Sequence, residues 1–360
     1  MISIGFVPPE IILSSQLENI NIFSDSDSVD VKFSADGVLL FSETFFVLDG
    51  FVSVSNLSEI VDMFILKLNG KNFCDCVLSA SGNGSASVAF RVMYCSRKVD
   101  IQDCMAWLKL NFLTFSPFRR VAPSEVVKLI WYGGSDDNIV SVSSTFLDPD
   151  GLSHVHEYRP SNVFDFEDAA DLHFFEVCPD LIADRIKSEL HLDCITLHSF
   201  TVRCNDRSVT CFVDLRHLSA SKFFFLNCFG IQDSVSVQCR TTAVASSERQ
   251  VASIGGTSLF YDVVNSREFE VQTAPLTPVE CSSLEQLLFS PKVKIQWRGD
   301  DTDFDALHEI LITDFTCDIS NSDDELNDVM FTWRFADSVP SVDLPVSGEI
   351  FDSNYNPVFS

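Results

Sequence analysis

Cations are scarce in this chain. Across 360 residues, Lys and Arg number 24 against 52 Asp and Glu, a formal net charge of -28. A field of that sign repels phosphate backbones and anionic lipid surfaces, so direct contact with nucleic acid or membrane is not expected. The same charge is expected to keep an aromatic-rich chain soluble. The opening residues, Met1 to Pro9, lack the basic start and apolar run of a secretory signal, and no stretch approaches the length needed to span a bilayer. Synthesis and retention in a cytoplasm, at least at first, are therefore expected. Local catalytic signatures are missing as well. No nucleophile sits beside a base, and Gly133-Gly134 and Gly255-Gly256 lack the spacing of a phosphate-cradling loop and read as turns. No enzymatic activity, no metal and no cofactor are expected.

Phenylalanine is abundant, at 33 residues, with only 5 Tyr and 4 Trp. Together with frequent Val and Ser, this favours strands with buried aromatic faces over helical bundles. The predicted class is mainly β: two β-sandwich-like domains with a few short helices and an extended C-terminal arm. The length suits two domains, each with its own core. The expected division is an N-terminal β domain over 1–151, a connection over 152–193, a C-terminal β domain over 194–339 and an arm over 340–360.

Residues 222–239 look like the centre of the β core. Phe223, Phe224 and Phe225 leave no polar face, which predicts a strand covered on both sides. After a corner at Gly230, Val235, Val237 and Cys239 alternate with Ser236 and Gln238 in the period of a half-buried strand. Similar alternation marks strands at 88–94, 209–215 and 329–335, and a register slip between Ile310, Ile312 and Phe315, Cys317, Ile319 predicts a β-bulge. Leu57, Ile60, Val61 and Phe64 share one helical face, as do Ile101, Cys104, Met105 and Leu108. Pro179 reads as a break before a short helix over 181–186. Thr277, Pro278 and Glu280 have the spacing of a helix start with a capping box. Asp148-Pro149-Asp150-Gly151 reads as the turn that closes the first domain, and residues 259–261 and 269–271 as short strands.

Asp25 and Asp27 have calcium-like spacing but lack the glycine and distal glutamate of an EF-hand loop, which favours a solvated turn. His154 and His156, followed by Glu157, would share one strand face and suit zinc, yet no third ligand is evident. Cys74 and Cys76 lack a two-residue spacer. They and the other cysteines, including Cys211 and Cys239, read as buried free thiols.

Four stretches carry a resemblance: Lys222-Phe223-Phe224-Phe225-Leu226-Asn227-Cys228-Phe229-Gly230, Leu287-Leu288-Phe289-Ser290-Pro291-Lys292-Val293, Val329-Met330-Phe331-Thr332-Trp333-Arg334-Phe335 and Gly348-Glu349-Ile350-Phe351-Asp352. With looser matches at 111–114 and at Trp131-Tyr132, they resemble tail-region structural proteins of phages and prophages of Bacteroides-type bacteria. The resemblance implies a virion structural protein, similar to distal tail or baseplate-hub proteins, assembled in the host cytoplasm. Its implied partners are further copies of itself in a ring and other tail proteins. The arm over 340–360 is the predicted clasp, anchored at the oligomer interface by Phe351, Tyr355 and Phe359. A carbohydrate-binding β-sandwich and a glycoside hydrolase-like enzyme with paired carboxylates are the alternative classes.

Overall fold

The computed structural model describes residues 1–6, 9–67, 72–99, 101–113, 118–133, 138–160, 164–166, 169–214, 221–296, 307–317 and 326–337. The first stretch supplies β1 (Ile2–Ile4), β2 (Ile11–Leu13), β3 (Ile20–Ser24), β4 (Ser28–Ala35), β5 (Val38–Phe46), β6 (Phe51–Val54), α1 (Leu57–Lys67), β7 (Phe73–Ser81) and β8 (Ser85–Met93). Two sheets result, ordered β1-β3-β6 and β2-β8-β7-β4-β5. Strict alternation along β4 turns Val29, Val31, Phe33 and Ala35 inward, where they meet Ile20 and Ile22 of the smaller sheet. Leu57, Val61 and Ile65 of α1 complete that core.

A second sandwich follows. It contains α2 (Cys104–Leu110), β9 (Phe118–Val121), β10 (Val127–Tyr132), β11 (Val140–Leu147), β12 (Ser153–Tyr158), β13 (Phe164–Phe166), β14 (Ala169–Val177), α3 (Pro179–Leu190), β15 (Thr196–Cys204) and β16 (Arg207–Val213). Leu129, Trp131 and Phe175 of the sheet β10-β14-β13 face Val142, Phe200, Val202 and Cys211 of the sheet β12-β11-β15-β16-β9, with Ile182 and Ile186 of α3 alongside. The expected boundary at Gly151 falls inside this unit. β11 and β12 pair across it from Val142↔Tyr158 to Leu147↔Ser153, so the turn is a hairpin. Residues 152–193 accordingly supply strands and a helix to the second core instead of a connection, and residues 194–213 belong with them. The cause is chemical, since Asp-Pro-Asp-Gly suits a hairpin as well as a domain end. Pro179 starts α3 as its first residue, where its missing N–H costs nothing.

The third unit holds β17 (Ser221–Leu226), β18 (Gln232–Val237), β19 (Cys239–Ile254), β20 (Thr257–Thr273), α4 (Pro278–Leu288), β21 (Val293–Gln296), β22 (Leu307–Cys317) and β23 (Val329–Phe335). Its strands form one sheet, ordered β18-β17-β21-β22-β23-β20-β19. α4 begins with the expected capping box between Thr277 and Glu280 and lays Cys281, Leu284 and Leu287 on the sheet. The bulge in β22 falls between Ile312 and Asp314 against β23. Phe223 and Phe225 are buried, whereas Phe224 is half-buried with the Lys222 ammonium 5.3 Å from its ring centre, so β17 is fully covered on one face only. The chain is mainly β, with sandwich-like packing and, among the described residues, four α-helices.

The three units meet at the corner between β17 and β18. Phe229 is fully buried against Trp107, ring centres 5.4 Å apart, within a fourth cluster that draws Leu13, Met93, Cys104, Leu113 and Ile130 together. The Asn227 carboxamide accepts from the amides of Phe229 (3.0 Å) and Ile231 (3.2 Å) and donates to the Leu113 carbonyl (2.8 Å). Asn72 donates to the Phe229 carbonyl (2.7 Å), the Ser96 amide to the Cys228 carbonyl (2.8 Å), and the Cys228 amide to Gln286 Oε1 (3.1 Å). Gly230 has φ 70°, and a Cβ there would stand 2.9 Å from Tyr94 Cδ1.

Two stability predictions follow from these contacts. Phe229→Ala removes the ring shared by all three units and is expected to cost about 3–5 kcal/mol; Gly230→Ala, in a left-handed conformation, costs on the order of 1–2 kcal/mol. Chemical denaturation measures both, and they should lower the stability of the whole chain in one transition instead of loosening one unit. The second concerns Asp62 of α1, whose Oδ1 is buried with no hydrogen-bond partner among the described residues. Burial raises its pKa, the Ser14 hydroxyl acting weakly the other way. A raised folded-state pKa means stability that is present below the ordinary aspartate range and lost as pH rises through the folded value. Asp62→Asn should therefore melt higher than the parent at neutral pH, with the gap closing in acid.

Candidate functional site

The feature that no core explains is the hairpin of β19 and β20. Sixteen and seventeen residues long, these strands pair from Cys239↔Thr273 to Ile254↔Thr257. Gly255 (φ 62°) and Gly256 (φ 86°) close them in a two-residue turn, both residues taking the positive φ that such hairpins require. β23 flanks β20 only from Phe269 to Gln272. Beyond that anchorage, among the described residues, the ribbon has no further strand beside it and extends about 40 Å.

At its base the ribbon belongs to the core, where Phe269 stacks on Trp333 at 4.2 Å. Farther out it is exposed, including Val244, Val251, Leu259 and Phe260, the last at 58%. Register sorts its side chains. Beyond the Ala243↔Phe269 pair, Ala245, Ser247, Arg249, Val251, Phe260 and Arg267 share one face, while Val244, Glu248, Leu259 and Glu268 share the other. The Arg249 guanidinium lies 5.3 Å from the Phe260 ring centre, and Arg267 lies 5.3 Å from that of Phe269. Two-stranded ribbons are marginal in water without a covering layer. This one presents a cationic-aromatic face, an acidic face and a free strand edge.

A second open edge lies in the first unit. Among the described residues β5 pairs with β4 alone, and Val38, Leu39 and Phe46 are exposed along it, with Leu48 just beyond. Opposite β4's buried Val29, Val31 and Phe33 stand Phe45, Glu43 and Phe41, so a carboxylate separates two half-buried rings at the rim of the core.

Four arginines pair with carboxylates across the boundaries between units. Arg119 of β9 pairs with Asp233 (3.1 Å) and Arg120 with Glu280 of α4 (2.9 Å), while Arg97 reaches Glu285 (3.0 Å) and Arg91 bridges to Asp171. Burial works against the Arg119 charge, but Asp233 and Glu125 outweigh it and leave its pKa raised. Arg207 donates to the carbonyls of Leu108, Asn111 and Tyr132. A small cleft of about 80 Å³ opens beside Arg119, Arg120, Asp233 and Glu280, whose charges are already paired with one another across the seam.

The residues singled out from sequence take separate partners. His154 Nε2 lies 2.7 Å from Asp148, and His156 Nε2 lies 2.9 Å from Glu189 of α3. Among the described residues, no three His, Cys, Asp or Glu side chains gather as a metal-binding group. Asp25 and Asp27 occupy the turn between β3 and β4. All twelve cysteines are free thiols, with Cys74 and Cys76 sulfurs 3.6 Å apart and both buried. A hydrogen bond from the Cys228 thiol lowers Cys95 to about 7, but Cys95 is buried and out of reach of solvent reagents. Trp131, Trp333 and Tyr94 are buried, and Trp107 is half-buried against Phe229, so none of these rings offers a flat sugar platform. Phe351, Tyr355 and Phe359, with the rest of the expected arm, lie outside the described residues.

Sequence reasoning found Gly255-Gly256 as a turn and short strands near it, but not the ribbon. The signal available was a glycine pair flanked on both sides by long runs of Thr, Val, Ser and Ala without proline.

No protein-family model matches the chain, and no curated protein matches it. Among solved structures, a chimeric titin Z1Z2-Z1Z2 tandem functionalised with a GRGDS peptide from fibronectin is similar at 9% identity over 57% of this chain and 94% of that one, with a TM-score of 0.16. At that score the likeness carries no argument.

Proposed function

We propose that the protein is a phage virion structural protein, a tail or baseplate component that assembles as a homo-oligomeric ring. The virion assignment rests on the sequence resemblance, and the ribbon of β19 and β20 supports the assembly. A fold that extends about 40 Å of two-stranded sheet into solvent, with exposed Val251, Leu259 and Phe260, has made a surface whose apolar area is useful only when covered. The acidic composition fits a part that meets other proteins and not nucleic acid or membrane. Its partners would be further copies of the chain and neighbouring tail proteins, and its place the virion. In this reading the protein performs no chemistry. It contributes rigid sandwiches and a projecting element that reaches a neighbour.

The test shortens the ribbon without touching its anchored base. Replacing residues 245–267 by Asn-Gly closes the hairpin at the Val244↔Glu268 pair and keeps Phe269 on Trp333. Light scattering should give a single multiple of the chain mass for the full protein and a folded monomer for the shortened one. A full-length protein that is monomeric at every concentration would contradict self-assembly. A chain ending at Ser338 separates the contribution of the C-terminal residues.

A further inference from the structure

The ribbon needs a surface to lie on, and the same chain carries one that complements it. β5 is a nine-residue edge strand open along its outer side, and Phe41, Glu43 and Phe45 line its core-facing rim. The first 56 residues hold Glu10, Glu18, Asp25, Asp27, Asp30, Asp36, Glu43 and Asp49 against Lys32 alone. The ribbon carries Arg249 and Arg267 on one face beside Phe260, Val251 and Ala245. Among the described residues no carboxylate pairs with Arg249, and none of the chain's own cations pairs with Glu43.

We infer that β19 of one copy adds to the open edge of β5 in a second copy, with Arg249 set against Glu43. This rests on the reading of the protein as a self-assembling structural component. Strand addition satisfies the free N–H and C=O groups of both edges. Charge then selects the face. With Arg249 opposite Glu43, the same-face neighbours Ser247 and Val251 fall opposite Phe41 and Phe45, closing the half-covered rings; a shift by one residue loses the ion pair, setting either Glu248, which is repelled, or the neutral Gln250 against Glu43. The same carboxylate opposes pairing of β5 with β5, since the two glutamates would stand close together in an acidic surface. Glu43 thus guards an exposed apolar edge while admitting the one strand that brings an arginine. Because the ribbon and β5 are different surfaces, the contact is head to tail and propagates from copy to copy until it closes in a ring.

Charge exchange tests this in the full chain. Glu43→Arg and Arg249→Glu are both at exposed positions, and each is expected to keep the parent's circular dichroism and a cooperative melt, at the lower temperature of an unassembled chain. Alone, each sets like charges against one another and should fall to the 40.2 kDa monomer. Mixed in equal amounts, each supplies the edge that the other's ribbon needs, so the mass of the parent assembly should return, with the two chains alternating. If the parent assembles and both variants assemble equally well, the docking is wrong while the oligomeric reading stands. If both variants are monomers and mixing restores nothing, the residues matter to assembly but do not meet, and the inference is overturned. A dimer that survives both changes is held by a different, isologous contact and overturns the inference. A monomeric parent removes the oligomeric reading and this inference together.

Discussion

Residues 227–231 turn a corner in a place where water cannot reach, so every polar group of that backbone must find a protein partner or cost on the order of 1–3 kcal/mol. The partners come from all sides. Asn227 takes two amides of the corner itself and one carbonyl from the second unit; Asn72 and Ser96 reach in from the first; Gln286 of α4 closes the third. Phe229 fills the space among them. Three cores that could each be satisfied separately are thereby held in one arrangement, and the arginine pairs at the seams act on surfaces that this corner has already brought together. In a chain with so few cations, placing Arg91, Arg97, Arg119 and Arg120 at such junctions leaves fewer to offset the carboxylates elsewhere.

That arrangement fixes where the open strands lie. The third sheet ends in β19, and the anchorage of β20 through Phe269 on Trp333 sets the ribbon's direction of exit. The first unit ends its larger sheet in β5. A stable fold normally shortens, bends or covers such edges. Here the long edge of β19 bears little protection, and β5 is protected chiefly by Glu43 and by the register shift in its pairing with β4 at Phe33. Rigid units with unsatisfied edges suit a component completed by its neighbours.

Much of the fold was legible where a strand or helix has one buried face, because alternation then reports burial directly. Val329, Phe331 and Trp333 are buried as their spacing indicated, the phase slip in β22 is a real shift of register, and Thr277 with Glu280 forms the capping box its spacing implied. Reading failed where one residue set serves two purposes. The turn at 148–151 joins two strands of a sheet where a domain end was expected, whereas the helix expected over 181–186 is present and begins at Pro179 itself. It failed most completely for the ribbon, since residues 243–253 have no buried face and so no period to detect. The corner at 227–231 was recognised as central, but its partners lie more than a hundred residues away in the chain, at Asn72 and Leu113, and local pattern cannot supply them.

The account holds that two strand edges left open in the single chain become paired in the assembly. Amide hydrogen exchange on the assembled protein, compared with the charge-repelled monomer, measures this directly. Protection should rise together along β19 from Thr242 to Ala252 and along β5 from Val38 to Phe46, with the corner at 227–231 slow in both states. Assembly that leaves the amides of β19 exchanging as fast as in the monomer would contradict it.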